Sequence, residues 1–246
     1  MSQATPALAL QDIVKTFGGI QALKGVSLEV HRGEVVALVG DNGAGKSTAI
    51  KIVAGVLQPT SGSVDIDGVT RTLSDPEQAR HAGIEVVYQD LALAGQQPVY
   101  MNMFLGRELV RGPRMLDKAR MRAETRTILD SLDVQVPSVD VPVSALSGGQ
   151  RQGVAIGRAT HWSRSLVLMD EPTAALGVAE TAKVEQVINR MREADRAILV
   201  VSHNLEQVFR ISQRIYVLRQ GTMIGMRHTA QTSPDEIVGM ITGTRE

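Results

Sequence analysis

Nine consecutive residues, Gly40-Asp41-Asn42-Gly43-Ala44-Gly45-Lys46-Ser47-Thr48, carry the most specific chemistry in this chain. Glycines spaced through a short loop let the backbone curl until successive N–H groups point at one concave spot. Lys46 adds a cation, and the Ser47 hydroxyl adds a hard oxygen donor for a small divalent ion such as Mg²⁺. These groups suit a nucleotide's β- and γ-phosphates, with Lys46 on the phosphates and Ser47 on the metal. A second cluster closes an apolar run, Ser165-Leu166-Val167-Leu168-Met169-Asp170-Glu171-Pro172. Side chains alternate along a strand, so Asp170 and Glu171 are expected on opposite faces with separate roles. Asp170 would reach the metal shell, through water or Ser47. Glu171 would orient or deprotonate a water attacking the terminal phosphate. A bland alternative is that one of them caps the next helix. The third cluster, Leu146-Ser147-Gly148-Gly149-Gln150, precedes a helical run beginning near Arg151. A Ser and two glycines at a helix N-terminus make a second anion site. One nucleotide does not need two cradles, so this surface is expected to meet a nucleotide held by another molecule. A Ser that merely caps its helix after a Gly turn is the alternative there.

The elements that must position these residues are short. Val35–Val39 runs straight into the Gly-rich loop, and a helix is expected from Thr48 to about Val56. Val35–Val39, Leu166–Met169 and Ala197–Val201 are apolar throughout, which suits parallel strands covered on both faces. Amphipathic helices separate them. Asp117–Leu132 places Met121, Thr125, Ile128, Leu129 and Leu132 on one face, and Ala179–Met191 carries a similar stripe. Strand–helix alternation after Val35 predicts an α/β fold with a mainly parallel sheet, which the family resemblance given below makes a phosphate-loop ATPase core. Two regions break the rhythm. Leu8–Val14 and Gly25–Val30, joined by Phe17-Gly18-Gly19, read as an antiparallel β flap. Residues 91–162 read as an inserted helical subdomain with turns at Gly112-Pro113 and around Pro137 and Pro142. The expected layout is one domain over 1–246. Its core takes approximately 5–90 and 163–230, its helical subdomain approximately 91–162, and a short C-terminal helix approximately 233–243.

Composition narrows the class. The chain has 246 residues, with 26 Lys+Arg against 26 Asp+Glu, so no charged tail for nucleic acid is expected. It has no Cys, which excludes disulfides, thiolate zinc sites and Cys nucleophiles. Residues 1–10 lack the basic start of a secretory leader. No apolar run approaches the roughly 20 residues of a membrane span. Internal repeats are absent, and each motif occurs once.

Gly40–Thr48, Leu146–Gln150, Ser165–Pro172 and His203, in this order and spacing, resemble the ATP-binding subunit of an ABC transporter, over essentially the whole chain. The Leu-Ser-Gly-Gly-Gln signature makes the likeness far more specific than a phosphate loop alone. Four stretches are similar to the bacterial importers of ribose, xylose, fructose and related simple sugars. They are Gly40-Asp41-Asn42-Gly43, Asn102-Met103-Phe104-Leu105-Gly106-Arg107-Glu108, Arg151-Gln152-Gly153-Val154-Ala155, and the run from Glu171 to Val178. The single-cassette form most resembles the fructose type.

The resemblance implies an ATPase that energises monosaccharide import, with ATP and Mg²⁺ bound. It places Phe17 against adenine and ATP's phosphates between Gly40, Asp41, Asn42, Gly43, Ala44, Gly45, Lys46, Ser47 and Thr48 of one chain and Ser147, Gly148, Gly149 and Gln150 of a second copy. It makes Gln89, in Val87-Tyr88-Gln89-Asp90, a contact to Mg²⁺ or water, and His203 a partner of the γ-phosphate and of Glu171. The catalytic set is then Glu171, His203, Gln89 and Lys46, and the metal set Ser47, Gln89 and Asp170. His31, His81, His161 and His228 match nothing and read as structural or exposed. Gly177 stands where most cassettes carry Asp. Implied partners are a second copy head to tail, transmembrane permease subunits and, indirectly, a periplasmic sugar-binding protein, with no nucleic acid. The implied place is the cytoplasmic side, peripheral on the inner face of the bacterial cell membrane. Rivals are a cassette serving another small solute, an ABC ATPase that moves no solute, and a small-molecule kinase. The last would leave Leu146–Gln150 and His203 without a purpose.

Overall fold

The structure, a computed structural model, describes residues 5–112, 115–174 and 176–244. Pro113 of the expected turn and Ala175 of the stretch after the acidic pair lie outside the described residues. The chain begins with β1 (Leu8–Phe17), β2 (Ile20–Val30), β3 (Val35–Val39), α1 (Lys46–Val53), β4 (Ser61–Ile66), β5 (Val69–Arg71), α2 (Pro76–His81) and β6 (Ile84–Val87). It continues through α3 (Val99–Met103), α4 (Lys118–Ser131), α5 (Gly148–Trp162), β7 (Leu166–Asp170), α6 (Val178–Glu193), β8 (Ala197–Val201), α7 (Leu205–Ile211), β9 (Arg214–Arg219), β10 (Thr222–His228) and α8 (Pro234–Thr242). These divide into two compact units. One is Met1–Val86 with Ser163–Glu171 and Arg192–Glu246; the other is Val87–Trp162 with Pro172–Met191.

The first unit holds two sheets. In the six-stranded sheet the order is β10-β9-β3-β8-β7-β6. Strands β9, β3, β8 and β7 pair in parallel. Strand β10 adds an antiparallel edge to β9. Alternation inside the apolar runs sorts their side chains between two layers. Val36, Leu38, Leu168, Leu199 and Leu218 join a core shared with α1 and the second sheet. Ala37, Val39, Ile215 and Val217 face the other way, onto α7 and α8 through Val208, Ile237 and Met240. Both faces are thus covered, which is why these strands carry no polar alternation.

The second sheet is antiparallel throughout, in the order β2-β1-β4-β5. The flap expected from the first thirty residues therefore takes two further strands, from 61–71. Its own strands are longer than expected, and only Gly18 and Gly19 turn the chain between them. Arg214 ties the sheets together, its guanidinium donating to the Glu29 carbonyl (2.9 Å) and pairing with Glu34.

The second unit is helical. Gly153 and Gly157 share one face of α5. A Cβ at Gly153 would lie 2.6 Å from Val134, and one at Gly157 3.2 Å from Leu129 of α4, so small residues set how closely these segments approach. Asn102, fully buried, accepts a bond from the Ala94 amide (2.7 Å) and donates to the carbonyls of Ala94, Gln97 and Pro98 (each 3.1 Å). It thereby satisfies a loop that would otherwise bury bare carbonyls. His161 packs edge-on against Trp162 and Phe104, and burial lowers its pKa. Arg190 on α6 pairs with Asp133 at 2.8 Å. Among the described residues no helix is long and apolar enough to cross a membrane.

Candidate active site

Strand β3 delivers the chain into the Gly-rich loop, and the loop's glycines are required individually. Gly40 has φ 154°, and a Cβ there would stand 2.1 Å from the Leu218 carbonyl oxygen. Gly45 has φ 110°, with the Ala22 carbonyl oxygen 2.8 Å from such a Cβ. Only glycine combines that backbone conformation with that approach. Asp41 stabilises the bend, its carboxylate accepting from the Asn42 amide (2.7 Å) and its carbonyl from the Ala44 amide (3.1 Å).

A brace that motif reading missed comes from the β9–β10 hairpin. Gln220 (φ 48°) and Gly221 (φ 81°) form its two-residue turn, both in the left-handed region. The Gly221 amide donates to the Ala44 carbonyl (2.9 Å), while its carbonyl accepts from the Lys24 amide (2.8 Å). Two apolar runs separated by Gln-Gly were the available signal.

Helix α1 begins at Lys46, two residues before the expected start, so Ser47 sits in its first turn with its side chain exposed. Thr48 follows, partly exposed. No side chain caps α1, and its N-cap is Gly45. The first amides of the helix and its partial positive charge, about half a unit, are left to an outside anion. The Lys46 ammonium is held across the loop, donating to the carbonyls of Gly40 (2.7 Å) and Asp41 (3.0 Å). Burial lowers its pKa, opposed by the charges of Glu171, Asp41 and Asp170.

Strand alternation does not set the direction of Glu171. Strand β7 ends at Asp170, and Glu171 turns out of it with φ 49°. A non-glycine residue there is strained, and the Glu171 amide is held by the Val201 carbonyl at 2.8 Å. The charges of both carboxylates act on Lys46. Burial raises the Asp170 pKa, with the neighbouring Glu171 charge adding to it; Lys46 and Lys51 oppose both. His203 Nδ1 stands 2.8 Å from Glu171 Oε1. The imidazole is 70% exposed against 16% for the Glu171 side chain, so the pair has one sheltered and one open end. Buried Ser202 stands behind it. Its hydroxyl lies 3.5 Å from Glu171 Oε2 and accepts from the Asn204 amide at 3.1 Å. Ser202, directly before His203, was legible only as a polar neighbour.

In the second unit, α5 begins at Gly148 rather than near Arg151. The Ser147 hydroxyl accepts from the Gln150 amide (3.3 Å), and the Gln150 side-chain oxygen accepts from the Ser147 amide (2.9 Å). That reciprocal pair is a capping box, so the capping alternative for Ser147 is realised. The Gly149 amide donates to Glu180 Oε1 at 3.1 Å, a carboxylate that motif reading had not singled out. Gln89 lies in this unit just after β6, exposed. Phe17, at the end of β1, is 45% exposed, with Lys15 Nζ 5.2 Å from its ring centre, so it is not core packing.

The donor set fits Mg²⁺. That ion keeps most of its water and takes one or two hard protein oxygens besides phosphate. The Ser47 hydroxyl and the half-buried Asp170 carboxylate supply that chemistry, and no group of three or more His, Cys, Asp or Glu able to hold a metal occurs among the described residues.

Residues 23–174 match the family described as ABC transporter. The chain is 44% identical over 235 residues to the xylose/arabinose import ATP-binding protein of Sulfolobus acidocaldarius, covering 96% of this chain and 93% of that one. It is 39% identical to the fructose import ATP-binding protein of Rhizobium meliloti, over 98% of this chain and 95% of that one. Against the ribose import ATP-binding protein of Yersinia pestis it is 41% identical over 97% of its length, but spans only 46% of that relative. A solved ATP-binding cassette in its ADP conformation superposes with a TM-score of 0.82 at 26% identity, over 96% of this chain and 95% of that one. A solved dimeric bacterial ABC transporter cassette gives 0.75 at 27% identity, over 90% and 98%. On the family match and on relatives this similar over nearly its whole length, the chain belongs to the ABC transporter family and is one of its ATPases.

Proposed function

We propose that this chain is the ATP-hydrolysing nucleotide-binding subunit that energises import of a monosaccharide through an ABC transporter. The observation that carries the hydrolytic part is the Glu171–His203 pair at 2.8 Å, with the Glu171 charge acting on Lys46. The sugar is supported by the names of the relatives above. All 246 residues form one cassette in this reading, with approximately 91–162 as its helical subdomain.

The loop amides of Gly40–Thr48 and the Lys46 ammonium hold ATP's phosphates, and Phe17 offers its exposed face to adenine. Ser47 and Asp170 would hold Mg²⁺, with Gln89 assigned to the same shell, and the ion would supply positive charge against the phosphates. Glu171 orients the attacking water or takes its proton, and His203 steadies Glu171 and the γ-phosphate. Ser147–Gln150 completes the site of a second copy, so that two chains pair head to tail around two ATP molecules. The solved dimeric cassette supports that pairing. Pairing and reopening drive transmembrane permease subunits, fed by a periplasmic sugar-binding protein. The chain then works on the cytoplasmic side, peripheral on the inner face of the membrane.

The test is Glu171→Gln. ATP binding is retained, turnover falls by roughly 10²–10³-fold, and the chain accumulates as a nucleotide-bound dimer in sedimentation. Turnover at the wild-type rate removes Glu171 from the reaction. Vesicles carrying the permease, with binding protein loaded with candidate sugars, decide the solute.

A further inference from the structure

Glu180 sits in the first turn of α6, outside the catalytic set, and its one carboxylate meets two helix N-termini. Its Oε1 accepts from the Gly149 amide at 3.1 Å, in the first turn of α5. Its Oε2 lies 3.4 Å from the Gly177 amide, which immediately precedes α6. Glycine at 149 permits this approach. A Cβ there would stand 3.1 Å from Glu180 Cβ and 3.2 Å from Cγ, and one at Gly148 3.2 Å from Leu176. Gly177 has no side chain with which to cap α6, so the cap falls to Glu180. Both helix ends are partially positive. Donation by the Gly149 and Gly177 amides, with the Ser147 hydroxyl also contributing, holds the carboxylate below its ordinary pKa range.

We propose that Glu180 is a positioning residue of the ATPase reaction. It fixes the start of the signature helix to the backbone at Gly177, so that the signature donors are held in one geometry. This rests on the shared-site reading, in which Ser147–Gln150 completes the partner's nucleotide site. Donors that stabilise developing charge act only when held in place beforehand, and a small misplacement costs up to about 10²-fold in rate. ATP binding at the phosphate loop is a separate event and does not depend on this clamp.

The full-length chain tests it, with steady-state turnover, ATP binding by calorimetry and thermal unfolding measured together. Glu180→Ala lowers kcat by roughly 10- to 100-fold and leaves the ATP Kd within about twofold. Adding Gly177→Asp separates positioning from simple capping. A Cβ at 177 meets nothing within 4 Å, and aspartate is a good N-cap. The double variant regains its melting temperature but not its kcat. Recovery of kcat along with stability would reduce Glu180 to a cap and overturn the proposal, as would wild-type or faster turnover in Glu180→Ala. Should that variant not fold, Glu180→Gln keeps an acceptor of the same reach. It lowers kcat roughly 3- to 10-fold, and an unchanged kcat refutes the clamp. Ser147→Arg run in parallel reports on the underlying reading. If it turns over ATP normally, the shared site itself fails; if it is dead while Glu180→Ala is not, only the role of Glu180 fails.

Discussion

Two helices of this chain begin in glycine-rich turns, and their N-termini are finished in opposite ways. Helix α1 has Gly45 as its N-cap, no side-chain cap and no acidic residue in its first turn. Helix α5 has Ser147 and Gln150 locked in a capping box and the Glu180 carboxylate on the Gly149 amide. One end keeps its donors and its partial charge open toward a ligand, with Lys46 laid across the loop. The other has its Gly149 and Gln150 amides satisfied from within the chain. Glycine content alone does not tell a helix start left open by its own chain from one partly braced by it; the difference lies in which groups the fold supplies to the amides.

The glycines themselves break this comparison most sharply. Gly40→Ala drives a Cβ against the Leu218 backbone carbonyl, 2.1 Å away, in a conformation that L residues avoid. It should abolish measurable ATP binding and cost about 3 kcal/mol or more of stability. Gly149→Ala meets the flexible Glu180 side chain at 3.1–3.2 Å, which can shift. Its stability loss is therefore smaller, about 1 kcal/mol, and ATP still binds. Equal losses in calorimetry and thermal melts would erase the distinction. Lys46→Ala comes next. It removes the cation over the α1 cradle and should weaken ATP binding roughly 10- to 100-fold, read as Kd. An unchanged Kd would mean that the amides suffice and that Lys46 only closes the loop. Ser147→Ala acts on the braced end, where the expected signal is stability. Loss of the capping box costs about 1 kcal/mol, or roughly 2–4 °C in melting temperature for a chain of this size. No shift would show that Glu180 alone secures that end.

What was legible in the sequence is what is local. The strand–loop–helix of Val35–Val53 could be read because the loop glycines, Lys46 and Ser47 are contiguous and the strand is uniformly apolar. The buried parallel strands could be read for the same reason. The flap was read too small, because nothing in Ser61–Arg71 says that it will pair with β1; that pairing is non-local. The supports of the site were missed on the same ground. Gly221 braces Ala44, and Val201 holds the Glu171 amide, from segments far along the chain. Pleat alternation, on which the opposite-face assignment of Asp170 and Glu171 rests, stops at Asp170 and does not reach Glu171. A glutamate gives no sign that it will take φ 49°.

The smallest expected effect concerns Asp170, and it sharpens what an open anion site costs the folded chain. Burial and the adjacent Glu171 raise the Asp170 pKa above its ordinary 3.8, against the pull of Lys46 and Lys51. A raised carboxylate pKa means that the folded state holds the proton more tightly than the unfolded state. Its contribution to stability is therefore full below about the unfolded value and declines as pH rises through the folded value. At neutral pH the ionised side chain is a net cost. Asp170→Asn removes it and should raise the melting temperature slightly, while lowering Mg²⁺-dependent hydrolysis. The gain should shrink as the pH is lowered through the range in which the wild-type carboxyl takes up its proton. A variant that melts at the wild-type temperature at pH 7, or whose advantage grows in acid, would show that Lys46 and Lys51 already compensate the charge. The strain would then lie in Glu171 alone.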